Sequence, residues 1–176
     1  MKAGLLSFFA ACCILSIGGC DEADFGGSLR KGVLAPSLHT KTLADVGGDF
    51  GKITTYRQPD ARMYQYSIDK ALALHKPMVL QFATPGHCSK CDEQLMMLKS
   101  LMEIYQPQVL FLHMDQYRNP EAFKAYQVMG DPWTFFIDDK GIVRRVQPGR
   151  MLYGEMESGI KELLDADKKA AKGDRL

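Results

Sequence analysis

Two cysteines stand three positions apart in the stretch FATPGHCSKCDEQL, residues 82–95. Cys88 and Cys91 at this spacing suit three uses: a redox pair, half of a metal site, or two buried thiols with no joint role. Structural zinc wants four ligands. The sequence holds no second Cys-x-x-Cys, and His87, directly beside Cys88, is poorly placed to share a tetrahedron with it. Haem attachment needs His directly after the second cysteine. Here that residue is Asp92. No metal ligand set and no cofactor are therefore expected beyond the cysteine pair itself.

The compartment decides what such a pair does. Residues 1–19, MKAGLLSFFAACCILSIGG, carry one Lys and then run apolar, with no further charge until Asp21. A short positive segment followed by an apolar one reads as a cleaved export signal. A retained anchor helix is the competing reading, though the run breaks at Gly18 and Gly19. The end of this segment, Ile17-Gly18-Gly19-Cys20, resembles the lipobox of bacterial lipoproteins. The resemblance implies that Cys20 becomes the first mature residue and carries lipid. The alternative is an unmodified signal cut near Gly19. Acyl chains anchor a soluble domain by about 0.8 kcal/mol per buried methylene. Asp21 at the next position would, in enteric bacteria, imply retention at the periplasmic face of the inner membrane.

Of five cysteines, Cys12 and Cys13 leave with the signal and Cys20 is used by lipid. Cys88 and Cys91 remain, in an oxidising compartment where disulfides persist. A pair alone there is expected to be bonded for at least part of its life.

The remaining chain must supply elements to position the pair. At 176 residues, 46% hydrophobic and 24% charged, it is long enough for one globular domain with extras. A net charge of +1 gives no basic face for nucleic acid. Residues 20–60 read as a tether and N-terminal extension. Within them, SLHTKTL and KITTY allow an edge hairpin or an irregular wrap. Residues 61–166 form the main domain, and 167–176 read as a solvated tail. Helical spacing covers 62–76, before Pro77. MVLQFA (78–83) reads as a buried strand. Leu95, Leu98, Leu101, Met102 and Tyr105 share one face of a helix that Pro107 stops. VLFLHMD (109–115) is a second strand. A helix over 119–128 has Asn119 as N-cap and Pro120 at its first position. TFFID (134–138) and IVRRVQ (142–147) form a hairpin, and 153–166 the last helix. The order is β-α-β-α-β-β-α after one leading helix. The first two strands should be parallel and the last two antiparallel, in a mixed α/β sheet with helices on both faces.

This order resembles the thioredoxin-like superfamily. The resemblance is carried by KPMVLQFATPGHCSKC, GDPWTFFIDDKGIV and the closing helix, over about residues 66–165. It implies a closer relation to membrane-anchored thioredoxin-like proteins of bacterial envelopes than to the cytoplasmic electron carrier. It implies that Pro132 is cis and faces the cysteine pair, leaving nearby backbone open to a substrate strand. Residues i and i+3 share a helix face about 5–6 Å apart at Cβ, which a tightened first turn closes to the 3.8 Å of a disulfide. Cys88 at the helix N-terminus would be the attacking thiolate, and Cys91 one turn in would resolve the mixed disulfide.

Several positions depart from the family pattern. His87 stands where thioredoxin has Trp, Ser89-Lys90 where it has Gly-Pro, and Gln81 where it buries a proton-shuttling Asp. Gln81 cannot titrate and reads as a hydrogen-bonded structural residue. His87 either tunes Cys88 or is an exposed loop residue. Asp131 either does acid–base work or is solvated. Trp133 either walls the substrate groove or packs. His39, His75 and His113 are not candidates. Met96, Met97 and Met102 read as core filler rather than a copper site.

The resulting expectation is a lipid-anchored envelope oxidoreductase. It would reduce a periplasmic protein disulfide through Cys88, with electrons from a membrane donor. The alternative is a non-catalytic binding module with a structural Cys88–Cys91 disulfide.

Overall fold

The computed structural model describes residues 29–173. The export signal, Cys20 and the first part of the tether lie outside the described residues. Among those described, no helix is long and apolar enough to cross a membrane.

Four strands form one sheet: β1 (Met78–Phe82), β2 (Leu110–Met114), β3 (Trp133–Ile137) and β4 (Val143–Pro148), in the order β2-β1-β3-β4. β1 lies parallel to β2, with Met78 opposite Leu110, and antiparallel to β3, with Phe82 opposite Trp133. β3 and β4 are antiparallel. Asp138 shapes their turn by accepting from the backbone N–H of Lys140 at 3.0 Å and of Ile142 at 2.7 Å.

Alternation along β1 sends side chains to two cores. Met78, Leu80 and Phe82 pack with residues of α1 (Ile68–Ala73) and α3 (Pro120–Ala125). Val79 packs on the other face with residues of α2 (Ser89–Tyr105) and α4 (Tyr153–Gly173). Every residue of β1 is buried, which suits a central strand covered on both sides. Phe82 is fully buried and stacks edge-on with Phe123 and Phe135. Burying a side chain of this class contributes about 1.5–3 kcal/mol. Gly159 lets α4 close on the sheet, since a Cβ there would lie 2.5 Å from the Phe136 ring. This mixed sheet, helix-covered on both faces, is a thioredoxin-like fold.

Three helices differ in extent from the sequence reading. The expected helix over 62–76 is a 3-10 turn, Ala61–Tyr64, followed by the short α1. Ser67 between them is extended, and Thr40 Oγ1 accepts from the Ile68 N–H at 3.1 Å. A long-range partner at that N–H makes a second helix start where periodicity alone runs on. α3 ends at Ala125 rather than 128, because Gln127 adopts φ 53° and the N–H of Val128 returns to Phe123 O at 2.9 Å. That is a Schellman-type stop. α4 runs on through Gly173. The expected tail is thus helical to that point, consistent with the helix-forming run Lys168-Lys169-Ala170-Ala171-Lys172.

Residues 36–60 are the irregular wrap and not a hairpin. They contain a 3-10 turn, Phe50–Lys52, and no strand, while Leu34 bridges to Ile142 just before them. Ile53 and Tyr56 are nonetheless buried, so this segment contributes to the core.

Candidate active site

Cys88 and Cys91 are disulfide-bonded with Cα atoms 5.2 Å apart. Cys88 is the N-cap of α2, in an extended conformation. Its Sγ accepts from the Cys91 N–H at 3.1 Å, and its carbonyl from the N–H groups of Cys91 and Asp92 at 3.0 and 3.2 Å. Orphan N–H groups at a helix start favour negative charge, and the Cys91 N–H already points at the Cys88 sulfur. Cys88 is half-buried, whereas Cys91 is fully buried. One sulfur can meet an incoming partner and the other cannot. That asymmetry is what an attacking and a resolving cysteine require.

The loop before Cys88 is fixed from the side. Asp115, buried just beyond β2, accepts at Oδ2 from the Thr55 N–H at 2.7 Å and the Thr55 hydroxyl at 2.6 Å. Thr55 Oγ1 also lies 3.3 Å from the Pro85 carbonyl. Gly86, at φ 98°, sits against Thr55; a Cβ there would lie 3.6 Å from Thr55 Oγ1. The other Asp115 oxygen accepts from the Tyr117 N–H at 3.0 Å. One carboxylate thus ties the wrap, and through it the cysteine loop, to the Tyr117 loop.

The expected site residues divide. His87 is exposed, and its Nε2 lies 3.3 Å from the Tyr117 hydroxyl. It is a surface residue beside Cys88. The Asp131–Pro132 bond is cis. A carboxylate oxygen of Asp131 and both sulfurs lie within 4.8 Å of one another. Asp131 Oδ2 is buried with no hydrogen-bond partner. These three donors are the set that could face a cation, but the disulfide commits both sulfurs and a closed tetrahedral site wants a fourth. Trp133 is only 7% exposed and belongs to the core cluster with Phe82 and Phe135. Its side chain packs in the core. The reason is register: opposite Phe82, position 133 faces inward.

Gln81 is buried and saturated. Its Nε2 donates to Phe82 O at 3.1 Å and Trp133 O at 3.0 Å, and its Oε1 accepts from Thr134 Oγ1 at 2.9 Å. Opposite it on β2 stands His113, which reading from sequence passed over. His113 Nε2 donates to Ala83 O at 2.9 Å, and Nδ1 accepts from the Tyr64 hydroxyl at 2.6 Å. Burial pushes the His113 imidazolium down and holds the ring neutral, which outweighs the opposing Ala83 bond and Asp115 charge.

Tyr56 also escaped the sequence reading. It is 6% exposed and forms one cluster with Ala83, Cys91 and Leu95, with Cys88 packed against it. Its hydroxyl is buried and has no partner. Burial, then the Asp92 charge, raises its ionisation above the ordinary tyrosine range. Nothing in the pattern KITTY separates this tyrosine from other aromatic residues.

No family model matches the chain. No curated protein matches either. Among solved structures, mitochondrial thioredoxin 3 from Saccharomyces cerevisiae (oxidised form) is 26% identical, covering 53% of this chain and 88% of that one, with a TM-score of 0.46. Fasciola hepatica thioredoxin is 23% identical over 54% and 89%, with a TM-score of 0.49. The germline-specific thioredoxin Deadhead of Drosophila melanogaster is 18% identical over 72% and 98%, also at 0.49.

Proposed function

We propose that this chain is a thiol–disulfide oxidoreductase that reduces a specific protein disulfide in the bacterial envelope. The observation that carries the reading is the bonded pair with unequal access: half-buried Cys88 at the start of α2 and fully buried Cys91 one turn inside. Both sulfurs lie near the residue that precedes the cis proline.

In the reduced protein, the Cys88 thiolate attacks one sulfur of the substrate disulfide. A mixed disulfide forms and the other substrate sulfur leaves as a thiolate. Cys91, as its thiolate, then attacks Cys88 Sγ, and the second substrate thiol is released. The substrate has gained two electrons and two protons, and Cys88–Cys91 is oxidised. A dithiol donor restores the pair by the same exchange. Lipid at Cys20 would hold the domain at the membrane, on the periplasmic side, where a membrane reductase supplies those electrons. The Ile17-Gly18-Gly19-Cys20 pattern supports that anchoring. Gln81, saturated and unable to titrate, favours the second reading, a binding module with a static disulfide.

The test is a redox titration of the full chain in thiol–disulfide buffers. A reversible couple near about −270 mV or below places the protein with reductants, and one near about −120 mV makes it an oxidant. Cys88→Ser is expected to abolish exchange, whereas Cys91→Ser accumulates a mixed disulfide visible by mass spectrometry. No reversible couple, with partner binding intact in Cys88→Ser, would establish the binding module instead.

A further inference from the structure

We propose that the Tyr56 hydroxyl is the hydrogen-bond donor to the Cys91 sulfur in the reduced protein, and that it thereby raises the reduction potential of the Cys88–Cys91 pair. This rests on the thiol–disulfide reading above and names the residue that tunes it.

Tyr56 packs with Cys91, Ala83 and Leu95, and its hydroxyl is buried without a partner while the disulfide is closed. A buried hydroxyl without a partner is costly, and native structures rarely keep one. A disulfide sulfur is a poor acceptor. A thiolate is a strong one. Reduction of the pair by two equivalents of glutathione breaks the Cys88–Cys91 bond and forms glutathione disulfide. The first glutathione thiolate bonds to Cys88 Sγ, and Cys91 Sγ leaves with the electron pair. The second displaces Cys88 from glutathione, and each protein sulfur ends with a proton or as a thiolate. The Cys91 sulfur thus leaves as a thiolate in a fully buried place, and a hydrogen bond donated to it there stabilises the reduced form.

Of Gln81, Asp131, Asp92 and Tyr56, Tyr56 is the side chain with an uncommitted donor. Both N–H bonds of Gln81 Nε2 are committed, to Phe82 O and Trp133 O. Asp131, whose oxygen lies near the sulfurs, is an acceptor as a carboxylate and opposes negative charge. Asp92 carries the same sign beside Cys91. A tyrosine hydroxyl rotates to suit a new acceptor. Its raised ionisation keeps the proton on oxygen, so Tyr56 donates a hydrogen bond and does not give up the proton. Tyr56 belongs to the irregular wrap ahead of the sheet, its N–H held by Thr54 Oγ1 at 3.0 Å. The wrap thereby completes the redox site.

The experiment is a glutathione redox titration of the full chain, wild type against Tyr56→Phe. Phe keeps the ring and removes the hydroxyl. The equilibrium constant for reduction is expected to fall about tenfold in the variant, a potential about 30 mV more negative. Urea unfolding closes the cycle. The oxidised variant should be as stable as wild type or more so, because an orphan group is gone, and the reduced variant should be less stable. In the wild type labelled at tyrosine 13Cζ, the Tyr56 resonance should move on reduction, which needs no variant. An unchanged or more positive potential in a folded Tyr56→Phe, or a resonance indifferent to reduction, overturns the proposal and leaves the oxidoreductase reading standing. Absence of a reversible couple in the wild type removes that reading too.

Discussion

Two polar neighbourhoods adjoin the end of β1, and they follow opposite rules. Around Gln81 and His113 the side-chain polar atoms are paired. Gln81 bridges to Phe82 O, Trp133 O and Thr134, and His113 joins the Tyr64 hydroxyl to Ala83 O. Around the disulfide, the Tyr56 hydroxyl and Asp131 Oδ2 are buried with no partner. The first arrangement has one low-energy state. The second has unpartnered polar atoms near a disulfide, and the proposal above has the Tyr56 hydroxyl gain a partner when that bond opens. Saturated networks rigidify, and unsaturated ones mark where the molecule is to change. On the proposed function, Gln81 and His113 hold the strands and the sulfur end reacts.

Breaking the saturated side should cost stability and spare the redox couple. Gln81→Leu keeps volume in the core but strands the Thr134 hydroxyl and the Trp133 carbonyl. Each orphan costs about 1–3 kcal/mol, so the loss should be about 2–6 kcal/mol by urea unfolding of the oxidised protein. The glutathione equilibrium should stay within about threefold of wild type, as for sites that do not share partners. A larger redox shift with small destabilisation would reverse the two assignments.

His113 sharpens the same contrast through pH. Its folded-state ionisation lies below that of an unfolded histidine, about 6.5, because burial disfavours the cation. The unfolded chain therefore binds the proton first as pH falls. The stability contributed by neutral His113 is fully present above about pH 6.5 and is lost as pH drops from there toward the folded value. One proton limits the slope to about 1.4 kcal/mol per pH unit. Urea midpoints between pH 7.5 and 5.5 should show this fall, and His113→Gln should flatten it. An unchanged slope in that variant would place the acid sensitivity elsewhere.

Which parts of this arrangement were legible in sequence follows from how far each interaction reaches. MVLQFA and VLFLHMD read as strands because they are short, largely apolar runs, and the first as buried because such a run suits two covered faces. Cys88 and Cys91 were legible because their spacing is local and the helix after them is strongly periodic. Tyr56 was not, since its burial depends on Asp115 holding Thr55 across 60 positions. His113 looked like any histidine in a strand until Tyr64 supplied its partner from 49 positions away. For Trp133 residue type left groove wall and packing open, and its register opposite Phe82 on the buried face could not be read locally. Residues 62–76 misled by periodicity, because the Thr40 contact that restarts the helix at Ile68 lies 28 positions away.

The smallest expected effect tests the unsaturated side at Asp131. Its carboxylate oxygen lies within 4.8 Å of both sulfurs and opposes a thiolate on either. Asp131→Asn keeps the shape and removes the charge. At an effective dielectric near 20 a charge 4.8 Å away is worth about 3.5 kcal/mol, and the half-exposed site screens most of it. Alkylation of reduced Cys88 by iodoacetamide at pH 7 should therefore speed up by about three- to tenfold, and added salt should narrow the gap between variant and wild type. The amide also supplies a donor where Oδ2 has none to meet, so the oxidised variant should gain no stability from the change. Slower alkylation in Asp131→Asn would mean that the carboxylate activates Cys88 as a base, which would move it from opposing the thiolate to creating it.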